Sequence, residues 1–115
     1  MIENDFCPED VCDALESLGY PRHPYNNTDT DKAMRMISLY DAQKWLREEQ
    51  DAYISPRIYL YHDINFDDET SWECTIYLAY AAIYNIGQSL SYEDALLLGI
   101  KDVIKRIQER NAKAK

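Results

Sequence analysis

Two stretches set the terms for this chain: YISPRIYLYHDI at residues 53–64 and WECTIYLAY at residues 72–80. Both are crowded with aromatic and β-branched side chains, which suit a pleated surface and lose rotamer freedom in a helix. A short acidic segment separates them, so they read as two strands of an antiparallel hairpin. Side chains on a strand alternate between faces, and pairing two strands therefore sorts their chemistry. Ile58, Leu60, His62 and Ile64 fall on one face with Trp72, Cys74, Ile76 and Leu78. Arg57, Tyr59, Tyr61 and Asp63 fall on the other with Glu73, Thr75 and Tyr77. The first face is expected to be core, and the second is amphipathic.

The remaining periodic segments have helical spacing. In DFCPEDVCDALESLGY, Pro8 suits a first helical turn, and Glu9 and Asp10 favour the positive helix start. Val11, Leu15 and Leu18 form a stripe with Cys12 beside them, and Gly19 offers a stop. The polar run YPRHPYNNTDTD has no periodicity and reads as a surface loop, so residues 1–31 are expected as a loosely docked helix plus loop. AMRMI at residues 33–37 is expected as an edge strand. SLYDAQKWLREEQ follows as a helix capped by Ser38, with Asp41 three positions on and Ala42, Trp45, Leu46 and Leu39 as its buried stripe. AAIYNIGQSL reads as a short strand running into a turn. SYEDALLLGIKDVIKRIQER is a helix capped by Ser91, with Leu96, Ile100, Val103, Ile104 and Ile107 inward. Hairpin and helices are segregated rather than alternating, which predicts an α+β fold. The expectation is a small antiparallel sheet of about three strands, with helices mainly on one face, in a single domain over residues 1–115.

Charge narrows the function. The chain carries 12 basic and 21 acidic residues, a net −9. Residues 101–115 hold +4 of this, leaving −13 on residues 1–100. An acidic body repels phosphate, so no nucleic-acid partner is expected, and the basic tail complements the dipole at a helix end. No apolar run reaches the ~18 residues of a membrane span, and the acidic start does not resemble a secretory signal. A cytoplasmic protein is the expectation, and the odd set of Cys7, Cys12 and Cys74, spaced unlike a zinc knuckle, agrees with structural thiols.

Three features invite a site. DINFDDETSWE opens with Asp63, Asn65 and Asp67 at calcium-loop spacing. Position 6 is Asp68 where the loop needs glycine, and position 12 is Cys74 where it needs glutamate. An acidic hairpin tip is the better reading, and no metal or other cofactor is expected. His62 is placed near Cys74 across the hairpin, yet nothing around them supplies an orienting group or an oxyanion donor, so a structural histidine is expected. The tyrosines weigh more. Ten in 115 residues is a heavy load, and Tyr59, Tyr61 and Tyr77 should cluster on the hairpin face away from the core. A large apolar ring with a polar tip suits an interface. Cover by the N-terminal helix or the long loop after it, a partner or second copy, and a small ligand are the three ways to fill such a face.

LYDAQKWLREEQ and, after the hairpin, SYEDALLLGIKDVI resemble short uncharacterised proteins encoded by phages and prophages of gut bacteria. Those carry a similar Y-x-A-Q-K-W-L-R-E helix and a closing S-Y-E-x-A-L-x-x-G-I helix. The likeness covers residues 33–108 and rests on helix caps and packing positions. It implies a setting and no reaction. The expected function is a small, acidic, non-enzymatic accessory protein acting through protein contacts, with a second copy of itself, as a homodimer, among the candidate partners. An acidic nucleic-acid mimic that inhibits a host protein is the alternative, with weak divalent-cation binding behind it.

Overall fold

The computed structural model describes residues 5–24, 34–62, 68–79, 81–83, 87–89 and 91–113; for 59–62, 68–70 and 88 it describes the backbone alone. Among the described residues the elements run α1 (Glu9–Ser17), α2 (Leu39–Gln50), β1 (Tyr53–His62), β2 (Asp68–Leu78), β3 (Ala81–Ile83), β4 (Gln88–Ser89) and α3 (Tyr92–Lys113). This is the α+β architecture that the segregated pattern predicts, with a small antiparallel sheet.

Strand β2 is the middle of the sheet. It pairs with β1 from Asp68 to Tyr77, while β3 and β4 share its other edge, near its end and its middle respectively. Register sets Ile54 opposite Ile76, Pro56 opposite Cys74 and Ile58 opposite Trp72. Helix α3 lies across the Ile54, Cys74 and Ile76 side and buries Leu96, Gly99, Ile100, Val103, Ile104 and Ile107. The contact is close because Gly99 has no side chain. A β-carbon there would lie 2.6 Å from the Cys74 Sγ and would also overlap the Ile54 Cγ2. Glycine costs about 1 kcal/mol against alanine in a helix interior, and here it permits the approach of helix to sheet.

The outer half of the hairpin departs from expectation. Ile58, expected in the core, is 61% exposed. Among the described residues of its face, Ile54, Cys74 and Ile76 at the base of the hairpin are buried, and Trp72 and Leu78 are half-buried. The radius of gyration is 16.2 Å, against about 13 Å for a compact chain of this length. The thinnest dimension is 19 Å, the depth of one sheet and one helix layer.

The loops also bring corrections. AMRMI is not a strand in its described part: Met34 is helical and Arg35 lies in a turn, Met34 and Met36 are exposed, and only Ile37 is buried. The backbone there serves instead to receive the chain start, through the Cys7 N–H donating to the Ile37 carbonyl (2.8 Å) and a bridge from Phe6 to Ser38. Helix α1, expected as a loose appendage, buries Val11, Cys12 and Leu15 in the common core. Its end is a Schellman turn. Tyr20 N–H reaches the Leu15 carbonyl and Gly19 N–H the Glu16 carbonyl, both at 3.0 Å, with Gly19 at φ +111°. Ser38 and Ser91 cap α2 and α3 as predicted, accepting from the Asp41 and Asp94 N–H groups at 3.0 and 3.1 Å.

A buried arginine completes the docking of α1. The Arg22 side chain is 2% exposed and donates to Glu9 (2.8 Å), Asp13 (2.8 Å) and Glu16 (3.2 Å), a carboxylate stripe on one face of the helix. Its Nε donates to the Arg35 carbonyl (3.0 Å), and Arg35 Nη1 donates back to the His23 carbonyl (2.6 Å). The two arginines therefore tie residues 22–23 to residue 35. Burial alone would weaken the Arg22 charge, but the three carboxylates outweigh it and hold its pKa above the ordinary value.

Candidate functional site

The sheet has helices on one side only among the described residues. Helices α2 and α3 meet the hairpin from the Ile54 side, and α1 packs against α3. On these contacts α1 belongs to the helix layer; residues 25–33 of the long loop, the other candidate cover of the tyrosine face from the same chain, lie outside the described residues. On that face Tyr53 sits opposite Tyr77 in register, 50% and 39% exposed. Arg57 sits opposite Glu73, with Arg57 exposed and Glu73 half-buried. Thr75, in the middle strand, is buried. Tyr59 and Tyr61 pair with Ser71 and Glu69, in phase with Tyr53 and Tyr77 along the ladder; their side chains lie outside the described residues. Tyr53 was missed because it stands at the first position of its strand, where alternation has too few neighbours to register.

Strand β1 is also held from α2, where Gln43 donates through Nε2 to the Ile54 carbonyl at 2.9 Å. Pro56 has no N–H to offer, which suits an edge strand. Among the described residues, no strand pairs with the outer edge of β1.

His62 and Cys74 do not meet. Register pairs His62 with Asp68 and Cys74 with Pro56, six residues apart along the strand or roughly 20 Å. The error came from pairing the two faces without fixing register. Asp63, Asn65 and Asp67 lie outside the described residues. Among those that are described, no three His, Cys, Asp or Glu side chains gather as a metal centre requires, and no helix is long and apolar enough to cross a membrane.

All three cysteines are free and buried. Cys12 Sγ donates to the Cys7 carbonyl at 3.6 Å. Burial pushes the thiols up, Cys7 to about 12 with help from Cys12, and Cys74 to about 11. Cys12 is raised mainly by burial too. A thiol kept protonated is a poor nucleophile. The unfolded chain ionises near pH 8.5, so these thiols add stability that is full below that pH and is lost as pH rises towards 11–12. Two outcomes are expected: an aromatic disulfide reagent leaves all three thiols intact in the native protein and modifies all three in denaturant, and thermal stability falls between pH 9 and 11. Fast native labelling of Cys74 would contradict this environment.

A second aromatic group went unpredicted. Tyr40, at the start of α2, stacks on Tyr92, at the start of α3, with centroids 6.3 Å apart and planes at 23°. Trp72 meets Tyr92 edge-on at 5.5 Å. With Ile58 opposite Trp72, the row runs from the helix starts onto the projecting hairpin, on the side away from Tyr53 and Tyr77. Tyr40 is 49% exposed. Its phenol is held above its ordinary range by desolvation, then by Glu93, Tyr92 and Asp5. The residues are scattered over three elements, and linear spacing gave no sign that they would meet. No protein-family model, curated protein or solved structure matches this chain.

Proposed function

We propose that this chain is a non-enzymatic interaction protein, and that a second copy of the chain covers the tyrosine face of its sheet. The observation that carries this reading is that, among the described residues, the helices lie on the Ile54 side of the sheet while Tyr53 and Tyr77 are half-exposed on the other. Tyrosine rings give contact area while their hydroxyls tolerate a wet margin. The face is also self-complementary. It carries Arg57 and Glu73 side by side, so a two-fold axis brings each against its opposite, on a chain whose net charge of −9 repels copies elsewhere. Two sheets packed face to face would give a helix–sheet–sheet–helix assembly.

The proposed setting is the one the helix resemblance implies, a phage or prophage accessory protein in the host cytoplasm. Three reduced, buried cysteines fit a reducing compartment. Nucleic-acid mimicry draws less support. The acids are spread over α1, α2 and α3, and three of those on α1 are engaged by Arg22.

Sedimentation tests the reading. The wild type is expected at twice 13.5 kDa at high micromolar concentration. Tyr53→Glu with Tyr77→Glu should sediment as a folded monomer, and Tyr59→Glu with Tyr61→Glu should do the same. A monomeric wild type, or dimers that survive both pairs of substitutions, contradicts the seam.

A further inference from the structure

We infer that the aromatic row of Tyr40, Tyr92 and Trp72, continued by Ile58, is a second docking surface, and that its partner is a cationic peptide segment carrying aliphatic side chains. This surface is independent of the tyrosine face. It lies on the helix side of the hairpin, and each of its members is described by its own packing.

The geometry sorts the surface into two parts. Tyr40 spends one ring face on Tyr92 and is half exposed, so the ring presents area to solvent at the rim of the row. Ile58 is more exposed still, beside a Trp72 that Tyr92 supports edge-on. A contiguous patch of this kind, fixed by ring-on-ring packing rather than scattered singly, is what marks contact surfaces. The charges around it select the partner. Asp5 and Glu93 act on the Tyr40 phenol, and Asp41 and Asp94 are exposed in the first turns of the same two helices. Lys44, one turn along α2, is the nearest cation on that helix. Carboxylates beside an electron-rich ring attract an arginine or lysine doubly, through the charges and through the ring face. They repel an acidic partner. The aliphatic neighbours of that cation would then lie on Trp72 and Ile58.

The probe is an alternating arginine–leucine octapeptide, with its glutamate–leucine counterpart as control. The cationic peptide should bind saturably and shift the resonances of Tyr40, Ile58, Trp72 and Tyr92, and the control should not bind. Tyr40→Ala should weaken binding about fivefold while melting at the wild-type temperature. Glu93→Gln should weaken it by a smaller factor and reduce its salt sensitivity. The Tyr53→Glu, Tyr77→Glu protein should bind as the wild type does, which separates this surface from the seam. Three results overturn the inference: no saturable binding, unchanged affinity in Tyr40→Ala with shifts spread over the acidic helices, or loss of binding in the Tyr53→Glu, Tyr77→Glu protein alone.

Discussion

Replacing Gly99 by alanine is expected to destabilise the protein by about 2 kcal/mol, although alanine is the better helix former. The added β-carbon would meet Cys74 Sγ at 2.6 Å and overlap Ile54 Cγ2. Neither neighbour can swing aside. Isoleucine is stiff at χ1, and the cysteine sulfur sits only two bonds from the Cα of the middle strand, inside the packed core. Helix α3 would have to lift from the sheet, loosening Leu96, Ile100 and Val103, each of them fully buried. Two further variants make the cause visible. Ile54→Ala alone should cost about 2–5 kcal/mol through the cavity it leaves. Combined with Gly99→Ala it should cost distinctly less than the sum, because the new methyl enters the space that Ile54 vacates. Strictly additive losses by chemical denaturation would show that the clash is not the reason.

Arg22→Ala is the second large effect, at roughly 2 kcal/mol, which lowers the melting temperature by roughly 8 °C in a domain of this size. A buried charge whose partner is deleted costs most when the orphan cannot reach water. Here Glu9, Asp13 and Glu16 are well exposed, with side chains 76%, 62% and 44% accessible, so they rehydrate and the loss stays moderate. What cannot rehydrate cheaply is the geometry. Three like charges on one helix face repel, Glu16 stands near the negative end of α1, and the Arg35 carbonyl loses its donor. Lysine should rescue little, since one ammonium cannot span three carboxylates and a carbonyl. A lysine variant as stable as the wild type would argue against the fork geometry.

The hairpin, both long helices and their serine caps were legible because each rests on a local rule: alternation, a 3.6-residue stripe, a hydroxyl before the first turn. The assignment of Cys74 and Ile76 to one face and Tyr77 to the other was legible for the same reason. What stayed hidden depends on how elements meet. Ile58 has the same alternation as Ile54, and only the position of α3 over the base of the hairpin leaves one exposed and the other buried. Arg22 sits in a stretch without periodicity, so its three partners, six to thirteen positions away, left no pattern. Tyr40, Trp72 and Tyr92 meet only because two helices begin side by side next to β2. AMRMI failed for a different reason, as methionine fits a strand, a helix or a turn equally well and the alternation there spans too few residues to decide.

Most of the functional account turns on whether the tyrosine face meets another copy. A nuclear Overhauser experiment on a mixture of isotope-labelled and unlabelled protein, filtered for contacts between copies, addresses this directly. Contacts are expected from the Tyr53 and Tyr77 rings of one copy to the Arg57–Glu73 region of its partner. Ring contacts confined to a single copy, in a sample whose mass is that of one chain, would contradict it.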